Sequence, residues 1–166
     1  MPSYLAILAD SHDSADALTA ALELLQPHHP LAYLHLGDLC EPAMLDTCAG
    51  LVGGAPFHFI FGNNDFDHEG LRRRAAALHL HCHGLCGELT LEQKRLAFLH
   101  GDNHTLLDQL LDSQKYDYLF HGHTHVRATA RHGKTRIINP GALYRAKPKT
   151  VALLELHSDT LQYLTL

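Results

Sequence analysis

The sequence has no run of about 18 apolar residues, no surplus of basic charge, no dense set of cysteines and no low-complexity stretch. The first absence argues against a membrane span. Tyr4–Ala9, the earliest apolar stretch, is too short for a signal core, follows no basic region and ends in acids, so a cytoplasmic location is expected. Thirteen basic against eighteen acidic side chains leave a net charge of −5. That balance speaks against a broad polyanion-binding face, so nucleic acid is not an expected partner, although one local cation suffices for a small phosphorylated substrate. Cys40, Cys48, Cys82 and Cys86 are too few for the framework of a small secreted protein and are expected to be reduced. With no linker or internal repeat, the 166 residues are expected to form one domain, 1–166, and homo-oligomerisation stays open.

What the chain does have in excess is histidine, sixteen in all, scattered rather than gathered into a terminal tract. Neutral imidazole ligates metals and titrates near neutral pH, so such an excess points to metal or acid/base chemistry. Short apolar runs predict strands at Tyr4–Ala9, Leu31–Leu36, Phe57–Phe61, Leu96–Leu99 and Tyr116–Phe120. Between the first two, Ala17, Leu18, Ala21, Leu24 and Leu25 make a helical stripe that Ser14 can cap and Pro27 stops. Further helices are expected over 42–50, 68–78 and 104–114. Alternating strands and helices imply right-handed crossovers and a parallel sheet. The later chain changes character. Hairpins are expected around His132–Gly133 and Ser158–Asp159, and Leu89–Leu91 pairs antiparallel with Arg95–Leu99. The sum is a layered α/β sandwich.

The strands stop at polar groups. Asp10 and His12 follow the first, Gly37–Asp38 the second, Gly62–Asn63–Asn64–Asp65 the third, His100–Gly101 the fourth and His121–Gly122–His123–Thr124–His125 the fifth. In open α/β sheets ligands gather outside the carboxyl ends of strands, so these groups are expected to converge. Extended backbone points side chains two apart to one side, which lets Asp10 with His12, and His123 with His125, each grip from a single segment. Carboxylate, imidazole and amide oxygen together suit Mn²⁺, Fe²⁺, Zn²⁺, Co²⁺ or Ni²⁺. Seven ligands are too many for one such ion and suit two that share Asp38.

Asp10-x-His12, Gly37–Asp38, Gly62–Asn63-x-Asp65, His100–Gly101 and Gly122–His123–Thr124–His125 resemble, in order, the five motif blocks of the calcineurin-like metallophosphoesterases. Asn139–Pro140–Gly141–Ala142 is similar to the Asn-Pro-Gly-Ser segment of that family's small, single-domain phosphodiesterase branch. The resemblance implies a four-layer αββα sandwich, two mixed β-sheets flanked by helices. It places one ion on Asp10, His12 and His125 and a second on Asn63, His100 and His123, with Asp38 between them and manganese the favoured metal. It also implies hydrolysis of a small or nucleotide-like phosphodiester by in-line attack of a metal-bridging hydroxide.

Asp38, Asn64 and Asp65 are the residues expected to serve catalysis. Asn64 stands where the family's protein phosphatases carry a histidine after the ligand Asn. A carboxamide hydrogen-bonds but is no general acid near pH 7, which favours diesters with activated leaving groups over monoesters. Asp65 is expected to orient Asn64 or nearby backbone. Asp102 replaces a histidine that relatives often repeat, and adds negative charge near the ions. His35 and His58 are expected to be buried, hydrogen-bonded imidazoles, Asp67 and His68 to start a helix, and His79–Cys86 to be strand and turn. Phosphomonoesterase or nucleotide-phosphatase activity on the same site is one alternative. A non-enzymatic scaffold is the other, because the retromer subunit, which resembles this branch, works through protein contacts.

Overall fold

Successive side chains on a strand face opposite ways, and β1 (Tyr4–Leu8) shows the consequence: Ala6 and Leu8 enter one apolar cluster, Leu5 and Ile7 another. A strand buried on both faces belongs inside a layered fold. The following elements are α1 (Ala15–Leu25), β2 (Ala32–His35), α2 (Met44–Leu51), β3 (Phe57–Phe59), α3 (His68–Ala77) and β4 (His81–Cys82). Then come β5 (Cys86–Leu91), β6 (Lys94–Leu99), α4 (His104–Asp112), β7 (Tyr118–Phe120), β8 (Ala128–His132), β9 (Thr135–Asn139), β10 (Thr150–Glu155) and β11 (Thr160–Thr165). This computed structural model describes residues 2–166.

The strands form a six-stranded sheet, in the order β11-β10-β1-β2-β3-β4, and a five-stranded sheet, β5-β6-β7-β9-β8. Both are mixed. In the first, β1, β2, β3 and β4 run parallel while β10 joins β1 antiparallel, pairing Tyr4 with Glu155 and Ile7 with Ala152. Helices α1, α2 and α3 cover its outer face through Leu18, Leu22, Leu45, Cys48 and Leu71. Leu34, Ile60, Phe98, Phe120 and Ile138 fill the space between the sheets, and α4 closes the far side through Leu111 on Leu99 and Leu119. The expected four-layer αββα sandwich is thus the observed one. Among the described residues no helix is long and apolar enough to cross a membrane.

Several local expectations need correction. Four of the anticipated strands are shorter than their apolar runs because the pairing ends early: β1 stops at Leu8, β2 at His35 and β3 at Phe59, while β7 begins only at Tyr118. Ser14 occupies the position before α1, yet its side chain makes no cap hydrogen bond; its carbonyl accepts from Leu18 instead. Pro27 ends the α-helix but not the coil, since Gln26–His28 continues as one 3-10 turn, which a fixed proline φ permits. The β8–β9 turn falls at Gly133–Lys134, one residue later than expected, because His132 pairs with Thr135. Asp67 does cap α3, accepting from the Gly70 N–H at 2.8 Å. The segment His79–Cys86 is β4 and a turn, as its sequence suggests.

Candidate metal centre

The chain leaves the strand ends in left-handed backbone, not in the extended backbone expected for the Asp10–His12 and His123–His125 pairs. Asp10 (φ 53°), His12 (48°), Asp38 (59°), His123 (66°) and His125 (60°) all have positive φ, a region that non-glycine residues rarely visit. Strain of this kind, about 1–3 kcal/mol per residue, persists where surrounding contacts hold it and clusters at functional sites. Its position at five of the seven expected ligands is independent of any motif. Gly62 shows the crowding: a Cβ there would fall on the Asp38 carboxylate, so only glycine allows the two loops to meet.

The expected ligands converge. His125 Nε2 lies 3.4 Å from Asp10 Oδ1, and His12 Nε2 lies 3.6 Å from Asp38 Oδ2. His100 Nε2 lies 3.5 Å from Asp38 Oδ2 and 3.8 Å from Asp10 Oδ1. Asn63 Oδ1 sits 2.9 Å from His100 Nε2 and 3.1 Å from His123 Nδ1, and these two nitrogens are 3.3 Å apart. Two sets of potential ligand atoms, Asp10–His12–His125 and Asp10–Asp38–His100, each lie within 4.8 Å of one another.

Electrostatics explains what such a basin takes. Burial pushes the Asp10 carboxyl up to about 7 against the opposing charge of His100. Burial also raises Asp38, but the hydrogen bond and charge of His100, with two hydrogen bonds from Asn64, hold it well below the usual carboxylate range. Desolvation lowers His12 and His125, leaving neutral imidazoles with lone pairs to donate. Asp10 Oδ1 and His12 Nε2 are buried without a hydrogen-bond partner. A buried orphan acceptor is costly, and a cation relieves both at once. The donor set therefore fits divalent ions.

The supporting contacts are specific. Asn64 donates to both Asp38 oxygens, from its backbone N–H and its side-chain amide, each at 2.8 Å. Asp65 spends its carboxylate on the backbone N–H groups of Asp38, Cys40 and Gly62. His100 Nδ1 is fixed 2.7 Å from the Leu36 carbonyl, and Cys40 Sγ lies 3.6 Å from His12 Nδ1. Burial, with the Asp65 and Asp38 charges, pushes the Cys40 thiol up to about 12, so it stays protonated. His35 is fully buried beside Ser11 at 2.9 Å, and His58 pairs with His83 at 2.9 Å, so neither joins the basin.

The calcineurin-like phosphoesterase superfamily domain matches residues 4–159. The chain belongs to that superfamily. No curated protein matches it significantly. Among solved structures, an archaeal phosphodiesterase superposes with a TM-score of 0.90 at 21% identity, over 98% of this chain and 99% of that one. Vps29 from Entamoeba histolytica in complex with zinc gives 0.68 at 19%, over 98% of each chain. The E. coli phosphoesterase Yfce gives 0.66 at 18%, over 97% and 98%. At identities this low, the superpositions show a shared fold.

Two residues in the basin were not singled out in the sequence. A cavity of about 350 Å³ above the ligands is walled partly by Tyr144 and Arg145. The Tyr144 ring lies 4.3 Å from that of His12, and the Arg145 guanidinium carbon lies 5.1 Å from the Tyr144 ring. Their only sequence signal is that they follow Asn139–Pro140–Gly141–Ala142. Another cavity, about 400 Å³ between Gln26, Pro27, Tyr33 and Val52, lies by the start of β2 and gathers no cluster of charged groups.

Proposed function

We propose that the protein is a divalent-metal-dependent phosphodiesterase acting on a small or nucleotide-like diester. The carrying observation is the convergence of seven donor side chains around the partnerless Asp10 Oδ1 and His12 Nε2. Asp10, His12 and His125 would hold one ion, Asn63, His100 and His123 the other, and Asp38 would serve both. Manganese is the favoured metal. Two such ions, when bound, supply a water of lowered pKa and charge to balance the phosphoryl oxygens.

The chain's own residues do the rest. Asn64 aims and charges Asp38 through two hydrogen bonds, and its carboxamide cannot protonate a poor leaving group. Asp65 ties the loops after β2 and β3 together from behind and acts as a positioning residue. Among the described residues Arg145 is the one lysine or arginine lining the ligand cavity, where a guanidinium pairs naturally with phosphate oxygens. One guanidinium, with a carboxamide rather than a general acid at Asn64, suits a monoanionic diester carrying an activated leaving group. A scaffold would need no ligand set, and the complete set here supports the enzyme.

The test is hydrolysis of bis(4-nitrophenyl) phosphate and 4-nitrophenyl phosphate by Mn²⁺-loaded protein. The diester is expected to turn over faster, and a marked monoester preference would overturn the reading.

A further inference from the structure

Phe66 is 84% exposed and Leu85 63%, and both line one cavity of about 340 Å³. Single exposed apolar residues need no explanation, but two in a cavity beside a reactive basin do. Phe61 and Asn63 form part of its wall, and Asn63 also walls the ligand cavity. Phe61 is braced: His68 stacks on it at 4.0 Å with 4° between the planes, and the Arg72 guanidinium carbon lies 4.8 Å from its centroid. Asp102, the departure from the histidine that relatives often repeat, contributes a carboxylate to the same cavity.

A phosphodiester held over the ligands has two ester arms to place. The geometry points to the Phe66–Leu85 cavity as the subsite for an aromatic arm, a nucleoside above all, with the base stacked on Phe66. This rests on the phosphodiesterase reading above. Bases and aryl rings stack on aromatic side chains whatever their identity, so the subsite selects for ring against alkyl rather than for one base. Asp102 sets the sign of the arm. It accepts hydrogen bonds from a base N–H or ribose hydroxyl and repels a further phosphate, so the arm is a nucleoside rather than a continuing nucleic-acid chain.

Two diesters with the same leaving group test this on Mn²⁺-loaded protein: thymidine 5′-(4-nitrophenyl phosphate) and methyl 4-nitrophenyl phosphate. The thymidine ester is expected to show a KM about tenfold lower, a preference that Phe66→Ala erases. Asp102→Asn is expected to raise the turnover of a diester whose second arm is 4-carboxyphenyl. Equal KM values, or a preference that survives Phe66→Ala, would overturn the subsite and leave the phosphodiesterase reading intact. If neither diester is hydrolysed, that reading fails, and calorimetry with thymidine 5′-methyl phosphate decides the subsite alone. Binding about tenfold weaker in Phe66→Ala supports it, and equal or absent binding overturns it.

Discussion

Asp65 accepts from the backbone N–H groups of Asp38, Cys40 and Gly62 at 2.6 to 2.7 Å while 3% exposed. Asp65→Asn removes the charge and turns one acceptor into a donor facing an N–H. The expected cost is about 1–3 kcal/mol, read as a lower urea midpoint, together with weaker metal binding because the Asp38 loop loosens. Gly62→Ala acts on the same junction by a different route. Its methyl would meet the Asp38 carboxylate, so one loop must move, and calorimetric titration is expected to show about 10–100-fold weaker Mn²⁺ binding. Undiminished affinity in both variants would show that the junction does not position the ligands.

Among the elements, β3 carries a pH dependence of its own. His58 on β3 is 8% exposed, pairs with His83 and stacks on His81 at 4.6 Å, and burial followed by these two neighbours lowers it to about 4. A histidine with a folded pKa below its unfolded value leaves the unfolded chain holding more protons between those values. Stability therefore falls as pH drops from about 6.5 to about 4, by about 3 kcal/mol from this group, and then levels off. Urea midpoints across that window are expected to fall less in His58→Phe than in the unaltered chain. For α3, Asp67→Ala is expected to cost about 1 kcal/mol, since the carboxylate caps the Gly70 N–H. Equal stability would mean that the cap is replaced by water.

At the scale of the molecule, the candidate ligands come from the ends of β1, β2, β3, β6 and β7, so cations bound there would tie both sheets together. Saturating Mn²⁺ at a hundred times its Kd is expected to add about 2.7 kcal/mol per ion, about 5.4 kcal/mol for two, raising Tm by about 11–22 °C, and chelation to reverse it. The parts of this architecture legible in the sequence are those written locally. Apolar runs announced β1 and β2, and the polar groups that follow the strands announced a convergence at their ends, although Asp10, His12, His123 and His125 meet there through left-handed rather than extended backbone. What stayed hidden depends on which loops meet. β8 is wholly exposed and carries no burial pattern, β4 has two residues, and the Ser14 side chain forms no cap although serine suits that position. Tyr144 and Arg145 reach the basin only because Leu143 is anchored on Ala9. Phe66, Leu85 and Asp102 share a cavity only because separate loops converge beside Asn63.

The most direct test of the account is the rate of bis(4-nitrophenyl) phosphate hydrolysis by Mn²⁺-loaded protein beside its Asp38→Ala variant. Steady turnover is expected, falling at least about a hundredfold on substitution, since Asp38 is the residue proposed to serve both ions. Turnover that is unchanged in Asp38→Ala, or absent from the unaltered protein with two equivalents of metal bound, would contradict it.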